Sequence, residues 1–308
     1  MEDFVKIYND IKRYPTLAKV AEKLNIHTRT VSKKALRARE LGYKLNSRKA
    51  SYKKDIVDKH NSTVQSYRVP KKRNTKNARV FVISDMHVPY HHPDTIAFFK
   101  AVKKKYNPDR VICIGDELDN HAMSYHETDP DNMNAGDELR KSRPIIKEIE
   151  KIFPEMDLVE SNHGSLYFRK ARSAGIPREV MLPYNELLQV GDGWRWHFDL
   201  TIEMSNGAHC YFHHGKTSDA LTLSRNMGMS SCQGHYHSRF KADYWSNSNG
   251  LYFGLQVGCM IDDDALAFAY NKTTLERPII GCAIILDGVP KMLPLIKEKG
   301  GRWDGTLA

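Results

Sequence analysis

The chain has 308 residues, of which 41% are hydrophobic and 27% are charged, with a formal net charge of +10. This composition supports a folded core and excludes a wholly disordered chain, and the longest apolar run, near residues 279–286, is too short to cross a bilayer. The first residues lack the apolar core of a signal peptide, and five cysteines without a CxxC pair favour reduced thiols, so we expect a cytoplasmic protein with no membrane contact.

The positive charge is concentrated in the first quarter of the chain. Residues 1–42 carry ten Lys or Arg against five Asp or Glu, and residues 43–79 carry twelve against two. The rest of the chain is mildly acidic. A cationic leader on an acidic body suggests a segment that docks onto a polyanion, although a merely soluble basic tail would have the same charge.

Residues 1–42 are predicted to form a small all-α domain. Apolar residues at helical spacing predict a first helix over Glu2–Tyr14, which ends at Pro15 because the proline ring cannot continue the hydrogen-bond ladder. Thr16 is a suitable N-cap for a second helix over Leu17–Leu24.

A third, basic helix is predicted after a tight turn. It begins at the N-cap Thr28 and ends near residue 41, with Val31, Ala35 and Leu36 facing inward. A short helix, a brief turn and a basic helix resemble bacterial and phage helix-turn-helix modules, whose second helix enters the major groove of DNA. A helical bundle that binds a protein is the alternative. The residues predicted to contact DNA are Thr28, Arg29, Thr30, Lys33, Lys34 and Arg37.

Residues 43–78 are interpreted as a flexible basic linker. They are rich in Lys, Arg, Ser and Asn and have no sustained apolar periodicity. Their cations could contact DNA phosphates without reading sequence, and binding of that kind weakens steeply with salt. A solvated tether is the simpler interpretation, and the two are compatible.

Residues 79–308 are predicted to form an α/β sandwich of two mixed sheets flanked by helices. Apolar, β-branched runs alternate with helical patterns: strands are predicted at 78–84, 110–115 and 156–161, and helices at 95–104, 136–153 and 165–173. The second half of the chain changes character, because residues 200–204 and 208–213 flank a Ser-Asn-Gly hairpin signal. Further strands are predicted at 251–259 and 281–295. Aromatic residues such as Trp196 are interpreted as strand-packing residues, with base stacking as the alternative.

Polar side chains follow the ends of five strand-like runs. The fragments are Ser-Asp-Met-His at 84–87, Gly-Asp-Glu-Leu-Asp at 115–119, Ser-Asn-His at 161–163, His-His-Gly at 213–215 and Gly-His-Tyr-His at 234–237. Because strand ends in an α/β sheet meet at one edge, we expect these side chains to converge. Asp, His and Asn are suitable ligands for divalent transition metals, and two such ions about 3.5–4 Å apart can clamp a phosphate and acidify a water.

The order of these fragments resembles the calcineurin-like metallophosphoesterase superfamily over roughly residues 79–240. The family pattern is DxH, GDxxD, GNH followed by Asp or Glu, a later His-Gly, and GHxH. The resemblance implies two divalent metal ions, most often Mn²⁺, with Fe, Zn, Ni or Co as alternatives. It implies His163 as the general acid that protonates the leaving oxygen. The metal ligands that it implies are Asp85, His87 and His237 at the first ion, Asp116 at both ions, and Asn162, His214 and His235 at the second.

Two residues depart from the family pattern. Ser161 replaces the glycine that usually precedes Asn162, and Gly164 stands where a carboxylate usually follows the catalytic histidine. That carboxylate normally orients and charges the imidazole, so we expect His163 to be a weaker acid unless another carboxylate, such as Glu160, reaches it. Asp119 is expected to support the metal ligands through hydrogen bonds and not to bind metal.

Three functions fit the two halves of the chain. The first is a DNA phosphodiesterase, a nuclease held on DNA by the N-terminal helices and the basic linker, which raise the local substrate concentration. The second is a phosphomonoesterase for nucleotides or phosphoproteins that is only localised by DNA. The third is a non-catalytic DNA-binding regulator, against which the complete ligand set argues and which the glycine after the catalytic histidine keeps open. Such a fusion resembles phage and mobile-element proteins, and the predicted partner is DNA.

Overall fold

The structure is a computed structural model, and it describes residues 1–46, 76–124, 130–265 and 275–307. The chain divides at residue 68 into an N-terminal and a C-terminal compact unit. Most of the predicted linker, residues 43–78, lies outside the described residues. Within the described ranges, no helix combines the length and the apolar character needed to cross a membrane.

The N-terminal unit contains helices α1 (Glu2–Asn9), α2 (Leu17–Leu24) and α3 (Thr28–Glu40). The predicted bounds of α2 are confirmed, and so is its cap, because the Thr16 hydroxyl accepts a hydrogen bond from the N–H of Lys19 at 3.2 Å. The prediction that the first helix reaches residue 14 is wrong. The Asp10 carboxylate accepts from the N–H of residue 13 at 3.1 Å, which makes a separate turn before the proline.

Two predictions about α3 are corrected. Its N-cap is His27, whose Nδ1 accepts from the N–H of Arg29 at 3.2 Å, so Thr28 is the first helical residue and not the cap. Leu36 is 59% exposed and does not face inward. The buried face carries the residues at spacings of four and three, Val31, Ala35 and Ala38, and a residue one position from Ala35 points about 100° away from it.

The C-terminal unit is built from strands and flanking helices within the described residues. Its helices are α4 (Thr95–Tyr106), α5 (Ala135–Ile152), α6 (Leu166–Ser173), α7 (Tyr184–Leu188) and α8 (Ala220–Met227). Its strands are β1 (Arg79–Ile83), β2 (Arg110–Cys113), β3 (Met156–Val159), β4 (Trp194–His197), β5 (Leu200–Glu203), β6 (His209–His213), β7 (Ser230–Gln233), β8 (Phe240–Asn247), β9 (Gly250–Val257), β10 (Gly281–Leu286) and β11 (Val289–Pro294).

These strands form the two mixed sheets that the sequence predicts. The first sheet has the order β11-β10-β1-β2-β3-β4, in which β1 to β4 are parallel and β10 and β11 are antiparallel. The second has the order β5-β6-β7-β9-β8, with β6, β7 and β9 parallel. The predicted hairpin is present as the antiparallel pair β5–β6, and the antiparallel pair β10–β11 lies at one edge of the first sheet.

The first sheet is buried on both faces. Phe81 and Ile83 of β1 pack into a core with the helices, whereas Val80 and Val82 pack into a second core with residues of the other sheet, such as Phe212. This alternation follows from the two-residue repeat of a strand. Because both faces are covered, the carboxyl ends of the parallel strands are the accessible edge, and the polar fragments follow these ends.

Candidate metal centre

The predicted site residues come together beyond the ends of β1, β2, β3, β6 and β7. Three groups of side chains have ligand atoms within 4.8 Å of one another. Six of the seven predicted ligands and the predicted catalytic histidine belong to these groups. The groups are Asp85, His87 and His237; His87, Asp116 and His163; and Asp116, His214 and His235.

Four of these residues have a left-handed backbone. The φ angles are 50° at Asp85, 48° at His87, 51° at Asp116 and 69° at His235. A residue with a Cβ pays on the order of 1 kcal/mol or more for this conformation, which persists only where the surroundings enforce it. Here main-chain hydrogen bonds enforce it: the N–H of His87 donates to the carbonyl of Asp116 at 2.8 Å, and that of Asp85 donates to Gly115 at 3.1 Å. The chain therefore turns sharply after each strand and directs these side chains back into the site.

The first group surrounds His87. Its Nδ1 lies 2.6 Å from Oδ1 of Asp119, which fixes the ring. Its Nε2 lies 3.2 Å from Nε2 of His237, and that atom lies 3.2 Å from Oδ1 of Asp85. Two imidazole nitrogens and a carboxylate oxygen thus face one another in a buried place, where a shared positive charge is needed to hold them together. This donor set fits a divalent transition metal.

The second group surrounds Asp116. Its Oδ2 lies 3.1 Å from Nε2 of His214 and 3.6 Å from Nε2 of His87, so this carboxylate stands between the two groups. The other ring nitrogen of His214, Nδ1, lies 2.7 Å from the carbonyl of Ile114, which orients the ring. The ring of His235 lies 5.1 Å from that of His214, centroid to centroid. The position of Asp116 is the one that a carboxylate shared by two ions requires.

Asn162 is the seventh predicted ligand and does not belong to the three groups. It is exposed at the end of β3, and its main-chain carbonyl accepts a hydrogen bond from the hydroxyl of Ser165 at 3.2 Å. Its role as a ligand stays a prediction.

His163 is positioned by Asp119 and Asp116. The main-chain N–H of His163 donates to Oδ1 of Asp116 at 3.1 Å. The ring nitrogen Nδ1 of His163 is hydrogen-bonded to the main-chain carbonyl of Asp119. The Asp119 carboxylate lies 3.5 Å from the same nitrogen. Glu160, the carboxylate suggested from the sequence for this task, is exposed. Asp119, which was expected only to support the metal ligands, lies beside His163 instead. Nε2 of His163 is left as the nitrogen that can deliver a proton.

The charges of the site are strongly coupled. Burial opposes ionisation of Asp85 and Asp116, but neighbouring histidines, His214 first among them, outweigh it and hold the pKa of both carboxyls below the usual range. Burial lowers the pKa of His214, but the Asp116 charge outweighs it and raises that pKa to about 9. Hydrogen bonds to Asp119 and Asp85 likewise raise the pKa of His87 against its burial. The buried carboxylates of Asp85, Asp116 and Asp119 are therefore stabilised by nearby positive charge. A metal ion that binds there would displace protons from these histidines.

Ser161 and the glycine of the second fragment hold the end of β3 against that of β2. The Ser161 hydroxyl accepts hydrogen bonds from the N–H of Asp116 at 2.9 Å and from that of Gly164 at 3.1 Å. Gly115 has a φ of 83°, and a Cβ there would lie 2.5 Å from Cβ of Ser161. The serine that departs from the family pattern thus supports the Asp116 loop, a role that its type alone did not reveal.

The residues predicted to contact DNA lie on the basic helix α3. Thr30 is partly buried and the others are exposed. Arg37 forms a surface ion pair with Glu40 at 3.1 Å. Because exposed pairs of this type contribute less than about 1 kcal/mol, Arg37 can exchange Glu40 for a DNA phosphate at little cost. Their contact with DNA stays a prediction. The residues concerned are Thr28, Arg29, Thr30, Lys33, Lys34 and Arg37.

Comparison with known proteins supports the resemblance. Residues 78–222 match the family model of the calcineurin-like phosphoesterases. Among curated proteins, no sequence matches the chain.

Several solved structures are similar to the chain at low identity. Vps29 from Chaetomium thermophilum is 12% identical, with 75% of this chain and 95% of that chain covered and a TM-score of 0.41. A Vps29 mutant from Entamoeba histolytica is 13% identical, with 75% and 96% covered and a TM-score of 0.37. Yfce, a phosphoesterase from E. coli, is 9% identical, with 67% and 87% covered and a TM-score of 0.37. Likenesses at these scores support no inference about substrate or partner.

Proposed function

We propose that this chain is a dinuclear metal-dependent phosphoesterase that cleaves phosphodiester bonds in DNA, to which its N-terminal helices and basic residues recruit it. One observation carries the phosphoesterase part: six predicted metal ligands from four strand ends lie close together in a largely buried region, and residues 78–222 of the same unit match the phosphoesterase family. The five cysteines are buried and unpaired, which supports a reducing, cytoplasmic setting for the reaction.

The proposed ligands form two sets that share Asp116. Mn²⁺ is the first choice for both ions, with Fe, Zn, Ni or Co as alternatives, because the donors are carboxylates and imidazoles. Bound ions supply Lewis acidity toward a phosphoryl oxygen and an activated water. Asp85, His87 and His237 would hold one ion, and Asn162, His214 and His235 the other, together with the shared carboxylate.

His163 would act as the general acid. Its Nδ1 is fixed by the carbonyl of Asp119, so a proton carried on Nε2 can pass to the leaving oxygen of a phosphoester. Burial lowers the pKa of His163, which makes the imidazolium a stronger acid but a less populated one near neutral pH. This balance suits a leaving group that departs as an alkoxide, such as the sugar oxygen of a nucleic acid.

The DNA part of the proposal depends on charge. Residues 1–79 carry all of the excess positive charge of the chain, because the remaining residues are net acidic. The side chains of Arg29, Lys33 and Lys34 are exposed on one helix, as a helix that enters a groove requires.

Parallel assays on the full chain test both parts. The protein is incubated with Mn²⁺ and supercoiled DNA, bis-p-nitrophenyl phosphate or p-nitrophenyl phosphate. Nicking and diester hydrolysis that chelator and Asp116→Ala abolish support the proposal. Monoester hydrolysis with intact DNA would instead favour a phosphomonoesterase, and DNA retention without turnover would favour a non-catalytic regulator.

A charge-matched pair of variants tests recruitment. Replacing Lys33 and Lys34 by alanine should weaken DNA binding and flatten its salt dependence, because each lost phosphate contact lowers the slope by about one. The control replaces Lys6 and Lys12, which are exposed and lie outside α3, by alanine; it removes the same two charges and should change neither. Hydrolysis of bis-p-nitrophenyl phosphate should be the same in all of these proteins. If the variant without Lys33 and Lys34 cleaves DNA as fast as the unaltered protein, recruitment through α3 is contradicted.

A further inference from the structure

A cavity of about 510 Å³ lies at the same edge of the first sheet, one strand further along than the metal residues. It is bounded by the ends of β2, β3 and β4, by the start of α6 and by residues 178–185. None of the predicted ligands lines it, nor does His163. Its volume is in the range of small-molecule sites, and such sites commonly lie at the carboxyl ends of parallel strands.

Aromatic rings form the walls of this cavity. Tyr184 and Trp196 meet edge to face with centroids 5.4 Å apart, and Phe168 lies 6.3 Å from Tyr184. The guanidinium of Arg178 stands 4.6 Å from the Phe168 ring. At the mouth, Phe198 is 69% exposed. Exposed and half-exposed rings around a cavity favour a flat aromatic ligand, which can stack on them.

A buried carboxyl lies at the floor. Glu117 is 1% exposed, and its Oε1 accepts a hydrogen bond from Nε1 of Trp196 at 3.3 Å. In the part of the chain that the structure describes, no Lys or Arg forms an ion pair with it. The Tyr184 side chain and the main chain of Glu117 itself also interact with this carboxyl. A carboxyl has about four acceptor sites, and a buried acceptor is stabilised by a ligand that donates N–H groups.

Gly164 keeps the floor accessible. A Cβ at this position would lie 3.6 Å from Oε1 of Glu117 and 3.8 Å from the Tyr184 hydroxyl. The residue at which the family usually has a carboxylate therefore faces Glu117, and its lack of a side chain leaves room beside that carboxyl. The cavity is also adjacent to the metal residues, because Ser161 is one of its lining residues and the Ser161 hydroxyl accepts a hydrogen bond from the main-chain N–H of Asp116.

We propose that this cavity binds one nucleobase of the substrate, with the ring against Phe168 and Trp196 and its N–H edge donating to Glu117. The assignment of the base to a substrate rests on the proposed phosphoesterase function, since a nucleotide whose phosphate lies at Asp116 can reach a cavity separated from it by one serine. The binding of a base needs no metal, so it can be measured apart from the reaction.

Equilibrium dialysis of the full chain in excess chelator tests the proposal. The probes are guanosine, adenosine, cytidine and thymidine, with N-acetylphenylalaninamide as an aromatic ring that lacks a base edge. At least one nucleoside should bind saturably. Phe168→Ala should weaken that binding about tenfold, because it removes a stacking ring. Glu117→Gln should also weaken it about tenfold, because the amide offers one acceptor oxygen where the carboxyl offers two. Tyr244→Ala, an exposed aromatic on β8, should leave it unchanged.

The outcomes separate this inference from the proposed function. It fails if no nucleoside binds, if N-acetylphenylalaninamide binds as tightly, or if Tyr244→Ala weakens binding as much as Phe168→Ala. Glu117→Gln keeps the shape of the side chain, and its thermal unfolding verifies that a loss of binding is not a loss of fold. A protein that hydrolyses phosphodiesters but binds no nucleoside refutes the cavity alone. A protein that binds nucleosides but hydrolyses no phosphoester refutes the proposed function and leaves the cavity as a base-binding site.

Discussion

Replacing Asp119 by asparagine tests whether the clustered histidines and carboxylates form a metal centre. Asp119 is fully buried and is not one of the predicted ligands, but its Oδ1 lies 2.6 Å from Nδ1 of His87. If Nε2 of His87 binds a metal ion, the Asp119 carboxylate orients the ring and increases its basicity. An asparagine oxygen can still accept the hydrogen bond, but it carries no charge.

The expected loss follows from the difference between the two hydrogen bonds. A hydrogen bond to a charged group contributes about 1.5–3 kcal/mol and a neutral one about 0.5–1.5 kcal/mol, so the substitution costs about 1–1.5 kcal/mol. That difference is roughly a tenfold loss of metal affinity. It is the lower end of the range of about 10–100-fold found for such supporting residues, and Asp119→Ala should approach the upper end.

Calorimetric titration of the metal-free protein with Mn²⁺ measures this affinity. Asp157→Asn is the matched control, because it removes a buried carboxylate that pairs with Arg110 at 2.8 Å and with His197 at 2.8 Å, away from the predicted ligands. The control should lower stability without changing metal affinity. At saturating Mn²⁺, Asp119→Asn should retain most of its turnover, because the main-chain carbonyl that holds His163 is unchanged. An unaltered Mn²⁺ affinity in Asp119→Asn would refute the assignment of His87 as a ligand.

Three further predictions concern catalysis, backbone and stability. His163→Asn should reduce kcat for diester hydrolysis by about 10²–10⁴-fold, with Mn²⁺ affinity unchanged in calorimetry. Gly234→Ala should abolish Mn²⁺ binding, because a Cβ there collides with the side chains of Ser84 and Asp85. A Cβ at Gly136 would lie 3.2 Å from the end of the Arg140 side chain and 3.4 Å from the Asn134 side-chain oxygen, away from the predicted ligands, so Gly136→Ala should bind Mn²⁺ normally. Hydrogen bonds from Arg302 lower the pKa of Asp94 from 3.8 to about 2, so this carboxylate stabilises the fold above about pH 4 and loses that contribution as the pH falls through 2. Since the arginine is 61% exposed, the contribution is about 1–2 kcal/mol, and Asp94→Asn should lower the free energy of unfolding by that amount at pH 7 and by little at pH 2 in denaturant titrations.

Short sequence patterns predicted those helices and strands whose formation depends on neighbouring residues in the chain. The Thr16 cap and its apolar spacing place α2 within the bounds observed, because both signals act over a single helix. Buried parallel strands such as β1 were recognised by continuous apolar runs. The predicted inward face of α3 was partly wrong, because Leu36 stands one position after Ala35 and so points away from the face that Val31, Ala35 and Ala38 form.

β7 shows why some strands escape sequence analysis. Its sequence, Ser-Ser-Cys-Gln, is polar, yet all four residues are buried. Ser231 donates to the carbonyl of Ala220 at 3.1 Å, and Gln233 donates to the side chain of Gln256 at 3.0 Å. These partners are 11 and 23 residues distant, so the interactions that make a polar strand tolerable in the core are visible only after folding.

The side chains of the site were recognisable from the sequence, but the backbone conformation and the hydrogen bonds that orient them were not. The fragments at the strand ends named the side chains that converge, whereas the left-handed backbone at Asp85 and Asp116 and the carbonyl partner of His163 depend on the contacts between strands. A sequence motif identifies the side chains that the chemistry needs. The hydrogen bonds that orient those side chains come from residues of many types, so a motif does not identify them.

The two departures from the family pattern are parts of one local arrangement at the end of β3. Ser161 uses its hydroxyl to hold the N–H groups of Asp116 and Gly164, so the serine ties the metal loop to the turn that carries His163. A carboxylate at position 164 would face the buried Glu117 and add a second negative charge beside it. The histidine instead takes its partner from the main chain of Asp119, which needs no added charge. The glycine is therefore compatible with an oriented His163, and its absence of a side chain is what leaves the neighbouring cavity open.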